Sequence, residues 1–265
     1  MTRGLTILYA AIYTAVAAFG RDFGFTISLY DVIKVRTLCG PRFAMTNQPM
    51  NLQAAREQMV EQQVRTWDVL DERVLQTMLQ VQREEFAPLR YRDVAFADSV
   101  IPLAHGQTML PAKVHGRILQ ALAVGEGDVA LEVGAGSGYL SACLGKLASR
   151  VRSLEIFPEL AEQARANLLA ARINNVSVEA ADAMQFNEQS TYDVIAVTGS
   201  LPIYDERFQQ ALRIGGRLFV VVGQAPIMEA WRVVRVGERE WQRQALFETV
   251  VEPLVNAARP SAFVF

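Results

Sequence analysis

Ten residues, LEVGAGSGYL at positions 131–140, set glycine at 134, 136 and 138 directly behind an apolar run. Glycine reaches positive φ without strain and lets a ligand approach the main chain, at a cost in chain entropy. Between a strand and a helix, such a triplet fits a loop that wraps a cofactor. Acidic residues flank it. Glu132 precedes the loop, Glu155 ends the next apolar run 21 positions after Gly134, and Asp182 follows the run after that, in EAADAM.

The spacing narrows the choice of cofactor. A dinucleotide fingerprint reads G-x-G-x-x-G, with an acid about 20 positions on for the ribose hydroxyls. Here the third glycine comes one residue early, and Glu132 would repel a pyrophosphate. A cofactor with a positive group suits that charge, and the ammonium and sulfonium of S-adenosyl-L-methionine supply one. Glu155 is spaced to take both ribose hydroxyls and Asp182 to meet an adenine amine. Plainer roles stand beside these. Glu132 can partner a helix terminus or an arginine, Glu155 can be a solvated strand end, Asp182 can cap the turn before Met184, and the glycines can serve only a tight turn.

The elements that must position these residues follow from periodicity. DVALEV, RVRSLEI, NVSVEAAD, YDVIAVTG and GGRLFVVVG read as strands, with helices through YLSACLGKLA and PELAEQARANLLAA. Strands alternating with helices predict βαβ units in a doubly wound, mostly parallel α/β sheet of Rossmann-like type. The tail REWQRQALFETVVEPL alternates enough for one or two antiparallel edge strands. Ahead of the sheet, Leu52, Ala55, Met59, Val60 and Val64 keep a helical period. Asp68 or Asp71 can cap a second helix whose inner face carries Val74, Leu75, Met78 and Leu79. A loop-rich stretch with three prolines, FAPLRYRDVAFADSVIPLAHGQTMLP, is expected across a cleft, before a helix in AKVHGRILQAL.

Composition excludes several classes. The chain has 265 residues, 51% hydrophobic and 20% charged, which is a globular balance. A net charge of −2 and the lack of a basic, aromatic-interleaved run argue against a nucleic-acid partner. Two cysteines, Cys39 and Cys143, make neither a disulfide framework nor a metal site, and fit a reducing, cytoplasmic setting. The apolar stretch from Leu5 to Phe19 is short for a span of about 20 residues, so no stable membrane association is expected. Residues 1–49 read first as an extension dispensable to the domain at 50–265, and alternatively as a surface helix or an export signal. Oligomeric state is not readable.

From about Met50 to Leu254 the chain resembles the protein-L-isoaspartate O-methyltransferase family. The resemblance is carried by EQMVEQQV, HGQTM, LEVGAGSGYLSACL, LEI, YDVIAVTGSLP and ALRIGGRLFVVVG. Gln107-Thr108, just upstream of the glycine loop, is the family-specific element; the other motifs recur in many methyltransferases of this fold. The resemblance implies methylation of the carboxylate of isoaspartyl residues in damaged proteins or peptides. It also implies that Glu132, Gly134, Gly136, Ser137, Gly138, Glu155 and Asp182 line S-adenosyl-L-methionine. Thr108, a hydroxyl beside the expected acceptor, is the candidate catalytic residue. The family usually reads G-Q-T-I-S-Q-P, its serine reaching the reacting centre, whereas this chain has Leu110 there. Ala183 replaces the usual glycine after the adenine-side aspartate, and Thr198-Gly199-Ser200-Leu201-Pro202 replaces a T-A-A-P loop. Those departures keep two other readings open: a relative with a different, small-molecule acceptor, and a non-catalytic cofactor-binding protein.

A carboxylate acceptor, ionised at neutral pH with a reference pKa of about 4, needs no general base, so placement and exclusion of water carry the catalysis. The two histidines fit that economy. His115 reads as a packing or surface residue and His105, beside the family-specific loop, as packing or a substrate contact. Cys143 reads as core.

Overall fold

The computed structural model describes residues 51–260. The reading of residues 1–49 as an extension, with Cys39 in it, lies outside them.

Helix α1 (Leu52–Met59) starts where the Asn51 side chain accepts from the Ala54 amide, then widens into a π turn at Val60–Val64 and a 3₁₀ turn at Arg65–Trp67. The expected helical face is kept at Met59, Val60 and Val64, all buried, but Leu52 stays exposed. Asp71, not Asp68, caps α2 (Glu72–Gln80) by accepting from the Arg73 amide; Asp68 instead adopts a left-handed conformation. A one-turn helix, α3 (Arg83–Phe86), leads into the proline-rich stretch, where β1 (Ile101–Pro102) and β2 (Thr108–Met109) pair antiparallel. Helix α4 (Ala112–Leu122) follows Pro111. Its Ile118, Leu119 and Leu122 share one core with Met59, Val64, Leu75 and Met78.

The sheet has seven strands: β3 (Val129–Val133), β4 (Arg150–Glu155), β5 (Val176–Ala180), β6 (Tyr192–Leu201), β7 (Leu212–Gln224), β8 (Ile227–Gly237) and β9 (Glu240–Glu248), in the order β5-β4-β3-β6-β7-β8-β9. Strands β3 to β7 run parallel, β8 pairs antiparallel with β7, and β9 antiparallel with β8. Helix α5 (Tyr139–Leu147) joins β3 to β4, α6 (Pro158–Ala170) joins β4 to β5, and the short α7 (Arg207–Gln210) precedes β7. Proline at the first position of α6 presets its φ. The expected α/β architecture is therefore present. The tail supplies one antiparallel edge strand, β9, within the expected one or two, and a further strand, β8, comes from IMEAWRVVRVG, which the sequence pattern does not announce. After β9 the chain turns back, and Pro253 bridges to Ser200 on β6.

Strand order reverses between β3 and β6, and such switch points leave a crevice beyond the carboxyl ends of the strands. The glycine loop opens on that crevice.

Candidate active site

The loop leaves β3 at Gly134, whose φ of 93° only glycine adopts without strain. The amides of Gly134 and Ala135 both donate to the Leu154 carbonyl of β4, at 2.8 and 3.2 Å. Gly138 (φ 83°) begins α5 against α6, where an added Cβ would lie 3.2 Å from the Ala164 methyl and 3.3 Å from its backbone. A side chain there would be strained by the positive φ and crowded by α6. Thr198 on β6 closes the loop from the other side, its hydroxyl 2.9 Å from the Val133 carbonyl and 2.8 Å from that of Gly134.

The structure places the expected site residues in three settings. Thr108, Gly134, Gly136, Glu155 and Asp182 line one cleft, together with Gln107, Leu110 and Thr198. Glu132 and Ser137 face a smaller cavity of about 40 Å³ behind the loop, which also meets Thr108, Leu110, Gly134 and Gly136. Gly138 lies at the start of α5, in the helix contact.

Glu155 is almost fully buried and does two things at once. Its Oε2 accepts from the Gly136 amide at 2.8 Å and its Oε1 from the Phe157 amide at 3.1 Å. Each carboxylate oxygen has a second lone pair, so the group can fix the loop and still receive two hydroxyls. Asp182 takes the plainer role set out for it. Its Oδ1 caps the turn by accepting from the Met184 amide at 2.8 Å, while the side chain borders the cleft.

Glu132 sits deepest. The Ser153 and Ser141 hydroxyls both donate to its Oε2, the first at 2.5 Å, and its Oε1 has no partner among the described residues. Burial pushes its carboxyl up to about 7; the two serine hydroxyls oppose that shift and the Glu155 charge adds to it.

The histidines separate. His105 (φ 56°) stacks flat on Phe157, rings 4.4 Å apart, with Nε2 3.3 Å from Glu159 and outside the cleft lining. His115 is buried, and burial with the neighbouring Arg83 charge holds it well below the usual imidazole range. Cys143 is core, its thiol pushed up to about 12 by burial.

Sequence reasoning missed one wall of the cleft. Val251, Pro253 and Leu254 line it, held because the Ser200 amide donates to the Glu252 carbonyl and the Leu254 amide to the Ser200 carbonyl, both at 2.9 Å. Asn256 donates to Asp182 Oδ2 at 3.0 Å. The only signal for this wall was a cluster of apolar residues around Pro253 in a polar tail.

Chemically, the cleft offers one buried carboxylate in Glu155, a half-buried one in Asp182 and the hydroxyl-bearing Thr108 and Thr198, with no histidine in its lining. Among the described residues no group of His, Cys, Asp and Glu converges to hold a metal, and no helix is long and apolar enough to cross a membrane.

Comparison with known proteins agrees with this chemistry. The profile of the family described as protein-L-isoaspartate(D-aspartate) O-methyltransferase matches residues 54–258. A protein-L-isoaspartate O-methyltransferase 1 of Rhodopseudomonas palustris is 40% identical over 184 residues, 69% of this chain and 74% of the relative. One from Koribacter versatilis is 36% identical over 202 residues, 76% of this chain and 90% of the relative. A Plasmodium falciparum chain assigned to the same enzymes, solved in complex with S-adenosyl-L-homocysteine, superposes with a TM-score of 0.65 at 22% identity. That match covers 75% of this chain and 97% of the Plasmodium chain, and it speaks to the fold.

Proposed function

The chain belongs to the protein-L-isoaspartate(D-aspartate) O-methyltransferase family, and on that premise we propose that it methylates the free carboxylate of isoaspartyl residues in damaged polypeptides, using S-adenosyl-L-methionine. The observation that carries the reading is Glu155, buried at the end of β4 beside the glycine loop, one backbone amide on each carboxylate oxygen, in the lining of the cleft.

The residues present fit that cofactor. Glu155 would take the ribose hydroxyls and Asp182 the adenine edge. Gly134 and Gly136 present backbone with no side chain in the way, and the unpartnered Glu132 Oε1 would face the cationic end. When bound, the cofactor would supply an activated methyl group for an acceptor carboxylate oxygen, its sulfur keeping the electron pair of the broken carbon–sulfur bond. No proton moves in that step, so the chain's task is to bind, orient and exclude water. Thr108, in the lining of the cleft, would hold the acceptor, and Val251, Pro253 and Leu254 would shield it. The free, buried Cys143 thiol supports a cytoplasmic setting.

The direct test is transfer of a labelled methyl group to an isoaspartyl peptide, with the aspartyl isomer as control. Label in the isoaspartyl peptide alone supports the reading. Tight cofactor binding without labelled peptide favours a different acceptor, the reading that Leu110 in the cleft keeps open.

Glu155→Ala is expected to weaken cofactor binding by about 1.5–3 kcal/mol, the worth of hydrogen bonds to a charged group, or roughly ten- to a hundredfold in Kd. The Gly136 amide loses its acceptor in the same substitution, which places the effect at the upper end. Calorimetric titration measures it, and unchanged affinity in the folded variant would remove Glu155 from the site.

A further inference from the structure

Arg83 opens the one-turn helix α3 and is completely buried. Its guanidinium reaches four separate parts of the chain. Nε donates to the Ala95 carbonyl at 2.9 Å, Nη2 to the Leu110 carbonyl at 2.7 Å, and Nη1 lies 3.2 Å from His115 Nδ1. The guanidinium carbon stands 5.1 Å from the centre of the Tyr139 ring. No carboxylate among the described residues bonds to it; the adjacent Glu84 pairs with Arg56 instead.

A guanidinium without a counter-ion is an expensive way to fill a core, because a buried charge must recover its lost hydration from hydrogen bonds. Its contacts show what the charge does here. Leu110 immediately follows β2, so its carbonyl belongs to the segment whose Thr108 and Leu110 side chains border the cleft. Tyr139 is the first residue of the helix that begins the far side of the glycine loop. His115 is on α4, directly behind the same segment, and a donor into its Nδ1 fixes the neutral ring with the proton on Nε2.

We propose that Arg83 is a positioning residue for methyl transfer, holding the Thr108–Leu110 segment in register with the glycine loop through the Leu110 carbonyl. This rests on the methyltransferase reading of the cleft. The guanidinium touches neither Glu155 nor Asp182, so its loss falls on the acceptor side and spares cofactor affinity. A displacement near 1 Å costs about a hundredfold in rate.

The test uses the full chain with Arg83→Met, which keeps bulk and removes charge and donors. S-adenosyl-L-methionine affinity is expected to hold within about twofold while kcat on an isoaspartyl peptide falls roughly ten- to a hundredfold; the melting temperature is expected to drop, because the buried Ala95 and Leu110 carbonyls lose their donor. Amide hydrogen exchange, read with S-adenosyl-L-homocysteine bound, is expected to quicken at residues 107–111 and to stay unchanged in β3 and β4. The exchange measurement decides the point even if the wild-type chain labels no isoaspartyl peptide, which would count against the proposed acceptor and not against Arg83. If Arg83→Met does not fold, Arg83→Lys keeps a cation but cannot span all three acceptors, and the same loss of kcat is expected. A folded variant with unchanged exchange at 107–111, with kcat within twofold of wild type, or with cofactor affinity lost in step with kcat overturns the proposal.

Discussion

Glu132→Gln is expected to leave stability unchanged near pH 4 and to raise it by on the order of 3 kcal/mol above pH 8. The carboxyl is raised to about 7 in the folded chain, because it is buried under the loop with only two serine hydroxyls to solvate it. In the unfolded chain an ordinary glutamate titrates near 4.3. Below that value both states hold the proton and the side chain contributes nothing to the pH dependence. Between the two values the unfolded chain releases a proton that the folded chain keeps. Stability therefore falls as pH rises through that window, and the full penalty is present above about 7. Glutamine matches the shape, still accepts from both hydroxyls and cannot ionise, so it removes the penalty. Urea unfolding of both proteins from pH 4 to pH 8 measures the difference, and a pH-independent difference would mean that Glu132 does not titrate in this range. Cofactor affinity should move the other way. A cationic ligand favours the ionised carboxylate, so wild-type binding is expected to tighten as pH rises through 7, a trend absent in Glu132→Gln.

That one residue shows how far sequence carries. Glu132 was legible as an acid beside a glycine loop, because strand, loop and acid occupy adjacent positions. Its burial was not, because the hydroxyls that accommodate it come from Ser141 and Ser153, on the next helix and the next strand. Glu155 and Asp182 were legible by spacing, but the loop amide that Glu155 accepts from was not. The parallel strands announced themselves as apolar runs. Strand β8 did not, since its pairing with β9 shifts register between Ala230 and Trp231. Its buried positions pass from Met228 and Ala230 to Val233, which breaks the alternation a reader looks for. Arg83 is the extreme case. In QVQREEFA it resembles one charge of a solvated helix, and only the folded chain brings Ala95, Leu110 and His115 around it.

Leu110→Ser is expected to raise isoaspartyl methylation by roughly ten- to a hundredfold. The resemblance places a serine at this position, and the structure puts the Leu110 side chain on both the cleft and the small cavity behind the glycine loop. Its carbonyl is held by Arg83 at 2.7 Å, so the backbone stays in place when the side chain changes and the new hydroxyl points where the isobutyl group did. A hydroxyl bonded to a carboxylate is worth about 1.5–3 kcal/mol, and each 1.36 kcal/mol is about tenfold in rate when the bond is made in the transition state. Leu110 is only 7% exposed, so the substitution also removes buried apolar volume. Truncations of this size cost about 2–5 kcal/mol of stability, and the assay belongs well below the variant's melting temperature. Thr108 is unchanged in the variant, so the ratio of kcat/KM isolates position 110. Cofactor affinity is the internal control, since Glu155 and Asp182 are untouched. If affinity holds, the fold holds and the rate does not rise, the acceptor is not a carboxylate within reach of residue 110. A different acceptor, one that an apolar leucine suits, then becomes the better account of this cleft.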